Sequence, residues 1–242
     1  MQNSANKIIK IAPKSKHNRL FLLCLGCLLL FCCLLLNLML WQEYKVQLIL
    51  LMFASFIVLL IGSLKYLEPE TSYQITPETI SYHHRNGQWQ LPWQDIIRIG
   101  DIKTELNGEY LQLPYIGIKL NTLENIAKSI SPRLANKLIH EQKELIYLAI
   151  KNNEIELEDG LINFEPYQLN ELTYKGPVAA WLYRSEQLLA AYGYHIYLPD
   201  SSFDRDLHEF LNLLRQCQHY THSEARSCST TRMNHGKRHT RL

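Results

Sequence analysis

Residues 65–216 contain no cysteine, and two long N-terminal runs, 20–41 and 48–64, contain no charged residue. The first absence excludes a disulfide framework for the bulk of the chain, so that part must be held by an ordinary apolar core. The second excludes surface helices of a soluble domain, which need a polar face. The first 19 residues have Lys7, Lys10, Lys14, Lys16 and Arg19 but no acid. Also missing are a Gly-x-Ser-x-Gly elbow, a phosphate-binding glycine loop and a dinucleotide fingerprint. Their absence removes the commonest motif-based routes to an enzyme class.

What the chain does have is leucine in bulk. Twenty-two helical residues over 20–41 rise about 33 Å and seventeen over 48–64 about 26 Å, against a hydrocarbon core of about 30 Å. With the polar connector 42–47 between them, the two runs predict a transmembrane hairpin over 20–64. The apolar run is too long for a cleaved signal peptide, and no small-x-small site follows it. Asn37, the one strongly polar side chain of the first run, is a candidate for a hydrogen bond between the two helices. Cys24, Cys27, Cys32 and Cys33 fall in the same run and read as small packing residues, since a redox Cys-x-x-Cys opens a helix of a soluble fold.

Charge is distributed unevenly. Residues 65–216 carry 14 basic and 21 acidic side chains, a net of −7, between the basic arm 1–19 and a tail, 217–242, with five bases and one acid. An acidic domain lacks the basic face that phosphate contacts need, which argues against nucleic acid as its partner. The basic arm before the first span, against a connector offering only Lys45 and Glu43, orients the hairpin by the positive-inside rule. The expectation is an inner-membrane protein with both termini and the main domain cytoplasmic, and with the lipid bilayer as its first partner.

Beyond residue 64 the pattern changes to alternation. Residues 73–76, 80–85, 88–91, 96–104 and 111–120 read as strands, with Asn86-Gly87 as a two-residue hairpin turn and a loop through Asn107-Gly108. They predict a five-stranded antiparallel meander over 65–121, with Ile97, Ile99 and Ile102 on its inner face. Helical periodicity follows over 122–216. A short helix covers 123–130; Ser131 caps a second, opened by Pro132 and running unbroken to about Asn152. Segments 154–157 and 161–164 read as strands. Gly176-Pro177 opens a further helix that Gly193 stops, and 194–198 reads as a strand. Ser201 or Ser202 is expected to cap a last helix, with Phe203, Leu207, Phe210, Leu211 and Leu214 on its core stripe. The tail 217–242 lacks apolar periodicity and is expected to be disordered. The fold class is therefore α+β.

The segments Ile75-Thr76-Pro77-Glu78-Thr79-Ile80, Gly87 and Leu91-Pro92-Trp93-Gln94-Asp95-Ile96-Ile97-Arg98-Ile99 resemble the opening of bacterial pleckstrin-homology-like domains, which commonly follow a two-helix membrane hairpin. In that resemblance Pro92, Trp93, Ile96 and Ile99 form the fold motif. Ile130-Ser131-Pro132-Arg133-Leu134-Ala135, His140-Glu141-Gln142, Gly176-Pro177-Val178-Ala179-Ala180, Gly193-Tyr194 and Pro199 with Asp204-Arg205 resemble one family of uncharacterised bacterial two-transmembrane proteins. The likeness covers most of residues 20–216. It implies a pleckstrin-homology-like meander with a helical insertion and a C-terminal helix, and supplies no catalytic residues.

Chemistry-bearing clusters are few. His140-Glu141-x-x-Glu144 lacks the second histidine of a zinc-protease helix and reads as a solvated helix face. His83, His84 and Arg85 lie at a hairpin tip. Strand alternation puts the two histidines on opposite faces, so they are not a chelating pair; with Arg85 they are candidates for a lipid head group. Cys217, His219, His222, Cys228, His235 and His239 in the tail match no finger spacing and lack apolar support for a metal site. No cofactor or metal is expected. The function this suggests is a membrane-anchored, non-enzymatic scaffold whose domain binds a protein partner or a second copy of itself. A membrane-bound enzyme acting on lipid or envelope substrates is the alternative.

Overall fold

A computed structural model describes residues 8–14, 19–66, 71–106 and 108–236. The chain is α+β: a short strand and two apolar N-terminal helices precede antiparallel sheets, a helical section and a C-terminal helix. Strand β1 (Ile9–Ile11) leads to the 48-residue helical stretch α1 (Arg19–Tyr66), in which Tyr44 alone leaves helical geometry, with φ −125° and ψ 33°. Its limbs, Leu20–Leu38 and Tyr44–Leu64, are each long and apolar enough to cross a membrane. Only 11% and 17% of their residues are buried, which is too little for core helices of a soluble domain.

The limbs fold back on each other. A Cβ on Gly26 would stand 2.8 Å from the Leu59 backbone and one on Gly62 3.0 Å from that of Leu23, while Cys33 Sγ and Ser55 Oγ lie 3.5 Å apart. Small residues let the helix axes approach this closely. The connector is shorter than the sequence predicts, because Gln42, Glu43 and Lys45 are good helix formers and prolong both limbs.

Strands β2 (Tyr73–Ile75), β3 (Thr79–His84) and β4 (Gly87–Pro92) follow as expected. The sheet gains an unexpected edge: its order is β1-β2-β3-β4, with Ile9 opposite Ile75 and Ile11 opposite Tyr73. Part of the arm read as merely basic is thus a strand, and Ile11 is fully buried. The meander is also divided. Strands β5 (Ile96–Leu106) and β6 (Glu109–Leu120) belong to a second sheet, which a later strand completes. A 3-10 turn, Trp93–Asp95, separates the sheets. Buried Trp93 donates its Nε1–H to the Thr76 carbonyl at 2.9 Å, and Asn125 donates to Asp95 Oδ2 at 2.6 Å. The turn is pinned from both sides, so β5 cannot continue alongside β4.

Ile96 and Ile99 are buried as the motif implies, but Ile97 is 55% exposed. Two residues of β5, from Ile96 to Arg98, span one step of β6, from Leu120 to Lys119. That bulge rotates Ile97 outward and restores Ile99 to the inner face. A second irregularity between Asp101 and Ile102 falls opposite Pro114, which has no N–H to give the ladder.

The helical section comprises α2 (Glu124–Ser129), α3 (Pro132–Glu141) and α4 (Lys143–Lys151). The expected single helix over 132–152 is broken at Gln142, whose φ of −86° and ψ of 6° turn the chain so that α4 packs on a separate apolar cluster with Ile102, Leu188 and Tyr197. Segments 154–157 and 161–164 are turns and irregular chain. The extended pair lies further on, as β7 (Tyr167–Leu169) and β8 (Leu172–Tyr174), around Asn170 at φ 51°. Helix α5 (Pro177–Tyr192) ends on left-handed Gly193, and β9 (Ile196–Pro199) pairs with β6 to close the second sheet as β5-β6-β9.

The last helix, α6 (Leu207–Gly236), begins later and ends later than the sequence suggests. Asp206, not Ser201 or Ser202, caps it, accepting from the His208 N–H at 3.0 Å. It continues past Gln216: Gln218 donates to the Ile96 carbonyl at 2.8 Å and Thr221 to that of Pro77 at 3.1 Å. The tail expected to be disordered is therefore helical through Gly236, and its first turn joins the domain. Phe203 precedes the helix but still packs on Phe210, with ring centroids 4.4 Å apart.

Candidate functional site

A cleft of about 260 Å³ opens where the hairpin joins the domain. Five short pieces of chain meet there. Pro13 follows β1, Ser72 precedes β2, and Tyr82, His83, His84 and Arg85 form the end of β3. Lys137 and Glu141 come from α3, and Pro199, Ser201 and Ser202 from the end of β9 and the turn after it. The floor is knitted by backbone: Ser72 N–H donates to the Ile11 carbonyl at 2.8 Å, and His83 N–H to that of Ser72 at 2.7 Å.

The β3–β4 turn is braced against α3. Ser131, capping α3, accepts the Leu134 N–H at 3.2 Å and donates to the Asn86 carbonyl at 2.9 Å. Gly87, at φ 138°, makes this approach possible, because a Cβ there would lie 1.9 Å from Ser131 Oγ. The same brace ties the turn that carries Arg85 to the helix that carries Lys137, and both residues line the cleft.

Lys137 and Glu141 form an i,i+4 ion pair at 3.2 Å, both partly exposed. Lys14 of the arm pairs with Asp200 at 3.0 Å beside the cleft. Among the described residues Arg85 has no ion-pair partner. His84 stacks on Tyr82, with ring centroids 6.1 Å apart, and its Nδ1 accepts the Asn86 N–H at 3.1 Å. Tyr73 and Tyr82 are held neutral: burial first, then neighbouring charge, pushes both phenols well above their ordinary range. Buried Ser202 shares a 2.8 Å hydrogen bond with Tyr73 and donates to the Pro199 carbonyl, so its hydroxyl is committed to the fold.

His83, His84 and Arg85 are thus brought together in one cleft. Pro92, Trp93, Ile96 and Ile99 lie in the core or at its edge and serve the fold. Asn37 is half-buried on the first limb, and the contacts that close the hairpin come from Gly26, Gly62, Cys33 and Ser55. Of the His140, Glu141 and Glu144 set, only Glu141 reaches the cleft. His222, Cys228, His235 and His239 of the tail cluster lie outside the described side chains. Among the described residues no group of three His, Cys, Asp or Glu is placed to hold a metal ion.

The sequence did not point to Ser72, Lys137, Ser201 or Ser202. Nothing local distinguishes them; only the pairing of β1 across the hairpin and the brace at Ser131 assemble them. The arrangement offers cations and a hydroxyl, that of Ser201, to an anion.

No curated protein and no solved structure matches the chain. A family match over residues 73–220 takes in β2 through the first turns of α6, and so most of the cleft. By that match the chain belongs to the family described as protein of unknown function (DUF2982).

Proposed function

We propose that the chain is a membrane-anchored, non-enzymatic interaction module, a pleckstrin-homology-like domain held at the cytoplasmic face of the inner membrane by its hairpin. One observation carries this reading. Strand β1 lies before the hairpin and β2 behind it, yet the two are paired through Ile9, Lys10 and Ile11. With the hairpin across a bilayer, that pairing requires both ends on one side, independently of any charge rule. The basic residues ahead of the first limb then select the cytoplasm.

The pleckstrin-homology-like assignment draws support from the strand count. A four-stranded and a three-stranded antiparallel sheet are followed by α6, with α2 to α5 inserted ahead of the last strand. The partner surface is best placed on the insertion, where Leu157, Leu161 and Phe164 are 71%, 67% and 56% exposed. Residues 152–174 carry six acids and no base, so a protein with a basic, partly apolar face is the fitting partner.

Topology is tested with single cysteines at Lys45 and Asp159 in a cysteine-free full-length chain, both positions being exposed. A membrane-impermeant maleimide applied to spheroplasts is expected to label Lys45→Cys and spare Asp159→Cys until lysis. Labelling of Asp159→Cys in intact spheroplasts contradicts the cytoplasmic placement. For the partner, a photocrosslinker at Leu161 should give a discrete adduct in cells that a Phe164→Asp change abolishes.

A further inference from the structure

We propose that the cleft between the β3–β4 turn, α3 and the turn after β9 binds the phosphate of an anionic lipid head group, taken from the bilayer the hairpin occupies. The inference rests on the membrane anchoring proposed above. Pro13 lies six residues before Arg19, and Ser72 six residues after Tyr66. Six extended residues reach about 20 Å at most, so two walls of the cleft are leashed to the ends of the limbs, close to the membrane surface.

Charge points the same way. The domain is acidic overall, yet among the described lining residues the cleft sets Arg85 and Lys137 against one acid, Glu141. That acid is offset by Lys137 at 3.2 Å. Asp200, between the lining residues Pro199 and Ser201, is offset by Lys14 at 3.0 Å. Among the described lining residues Arg85 is therefore an exposed cation without an ion-pair partner, and Ser201 offers an exposed hydroxyl in the same cleft. A planar guanidinium with a hydroxyl donor in the same cleft matches a phosphodiester. At about 260 Å³ the cleft is smaller than the usual pocket for a whole organic ligand. It suits a head group whose acyl chains stay in the bilayer. A phosphoprotein is a poorer match, since two walls of the cleft are leashed within about 20 Å of the limb ends.

The test uses the full-length chain in nanodiscs of phosphatidylcholine containing a minor fraction of phosphatidylglycerol with a photoreactive head group. Crosslinks mapped by mass spectrometry are expected within 72–85 and 137–141. Arg85→Gln and Lys137→Gln should each reduce them roughly fivefold, the effect of about one surface cation near anionic lipid. Lys103→Gln, an equal charge change at an exposed position outside the cleft, should leave them unchanged. Uniform crosslinking across the domain, or equal loss in all three variants, overturns the proposal. Inorganic phosphate and glycerophosphoglycerol are added in parallel to the chain in neutral nanodiscs. Protection of Arg85 from a guanidine-directed reagent by these solutes, without any lipid crosslink, overturns the lipid as source. A chain that fails to co-purify with the nanodisc contradicts the anchoring itself, which separates that failure from failure of the cleft.

Discussion

The hydroxyl of Ser131 joins the start of α3 to the carbonyl of Asn86 at 2.9 Å, with Gly87 leaving the space for it. One side chain thereby caps a helix and fixes the hairpin turn that carries Arg85. Ser131→Ala removes both hydrogen bonds and is expected to lower stability by about 1–2 kcal/mol, read from denaturant melts of the full-length protein in detergent. Gly87→Ala should cost at least as much, because the added methyl meets Ser131 and the φ of 138° disfavours any side chain.

Ile11 ties the arm into the domain. It is fully buried opposite Tyr73, and Ile11→Ala should destabilise by about 2–4 kcal/mol. Lys10→Ala, on the exposed side of the same strand, should change stability by less than about 0.5 kcal/mol. Comparable losses from both substitutions would show that β1 is not seated as described.

Gly100 and Gly117 face each other across β5 and β6, and the Tyr194 ring lies on the flat they leave. A Cβ on Gly117 would stand 2.4 Å from that ring, and the Arg98 guanidinium carbon lies over the ring, 4.6 Å from its centroid. Gly117→Ala is expected to cost about 1–3 kcal/mol. In a Tyr194→Ala background it should cost clearly less, since the clashing ring is gone, and a double-mutant cycle measures that coupling.

His195 is buried, and its Nδ1 accepts the Leu120 N–H at 3.0 Å. Burial first, then the nearby Lys119, lowers its pKa from 6.5 to about 4. The folded state therefore holds a neutral ring where the unfolded chain would take up a proton. The stability this contributes is complete above about pH 6.5 and is lost as the pH falls through about 4, by roughly 2–3 kcal/mol. His195→Asn keeps an acceptor but no titrating ring, so its stability should fall less steeply between these values. Parallel urea melts of both proteins across that range measure the difference.

Much of the architecture was legible in residues with strong local rules. The uncharged runs marked the limbs, Asn86-Gly87 marked a turn, Ser131-Pro132 marked a helix start, and Gly193 marked a stop. What escaped was set by contacts far apart in sequence. Ile9-Lys10-Ile11 alternates over only three residues, and its partner strand lies beyond the hairpin. Ile97 turns outward because β5 carries one residue more than β6 at that point, which periodicity within β5 alone cannot reveal. Tail residues 217–221 lack an apolar stripe but find carbonyls of β5 and of Pro77 to bond. The candidate cleft divides in the same way. His83, His84 and Arg85 are a visible cluster, whereas Lys137 joins them only through the brace at Ser131.

The pairing of β1 with β2 also bears on the order in which the molecule is assembled. Ile9 and Ile75 are 66 positions apart, a separation whose closure would carry a large entropic cost in a free chain. Once the two limbs have zipped together through Gly26 and Gly62, only the linkers flanking α1 remain to be closed. The hairpin then works as a clasp that lets the first sheet complete itself. A fragment beginning after residue 66 would lack both the clasp and the edge strand, leaving Tyr73 and Ile75 to search for a neighbour.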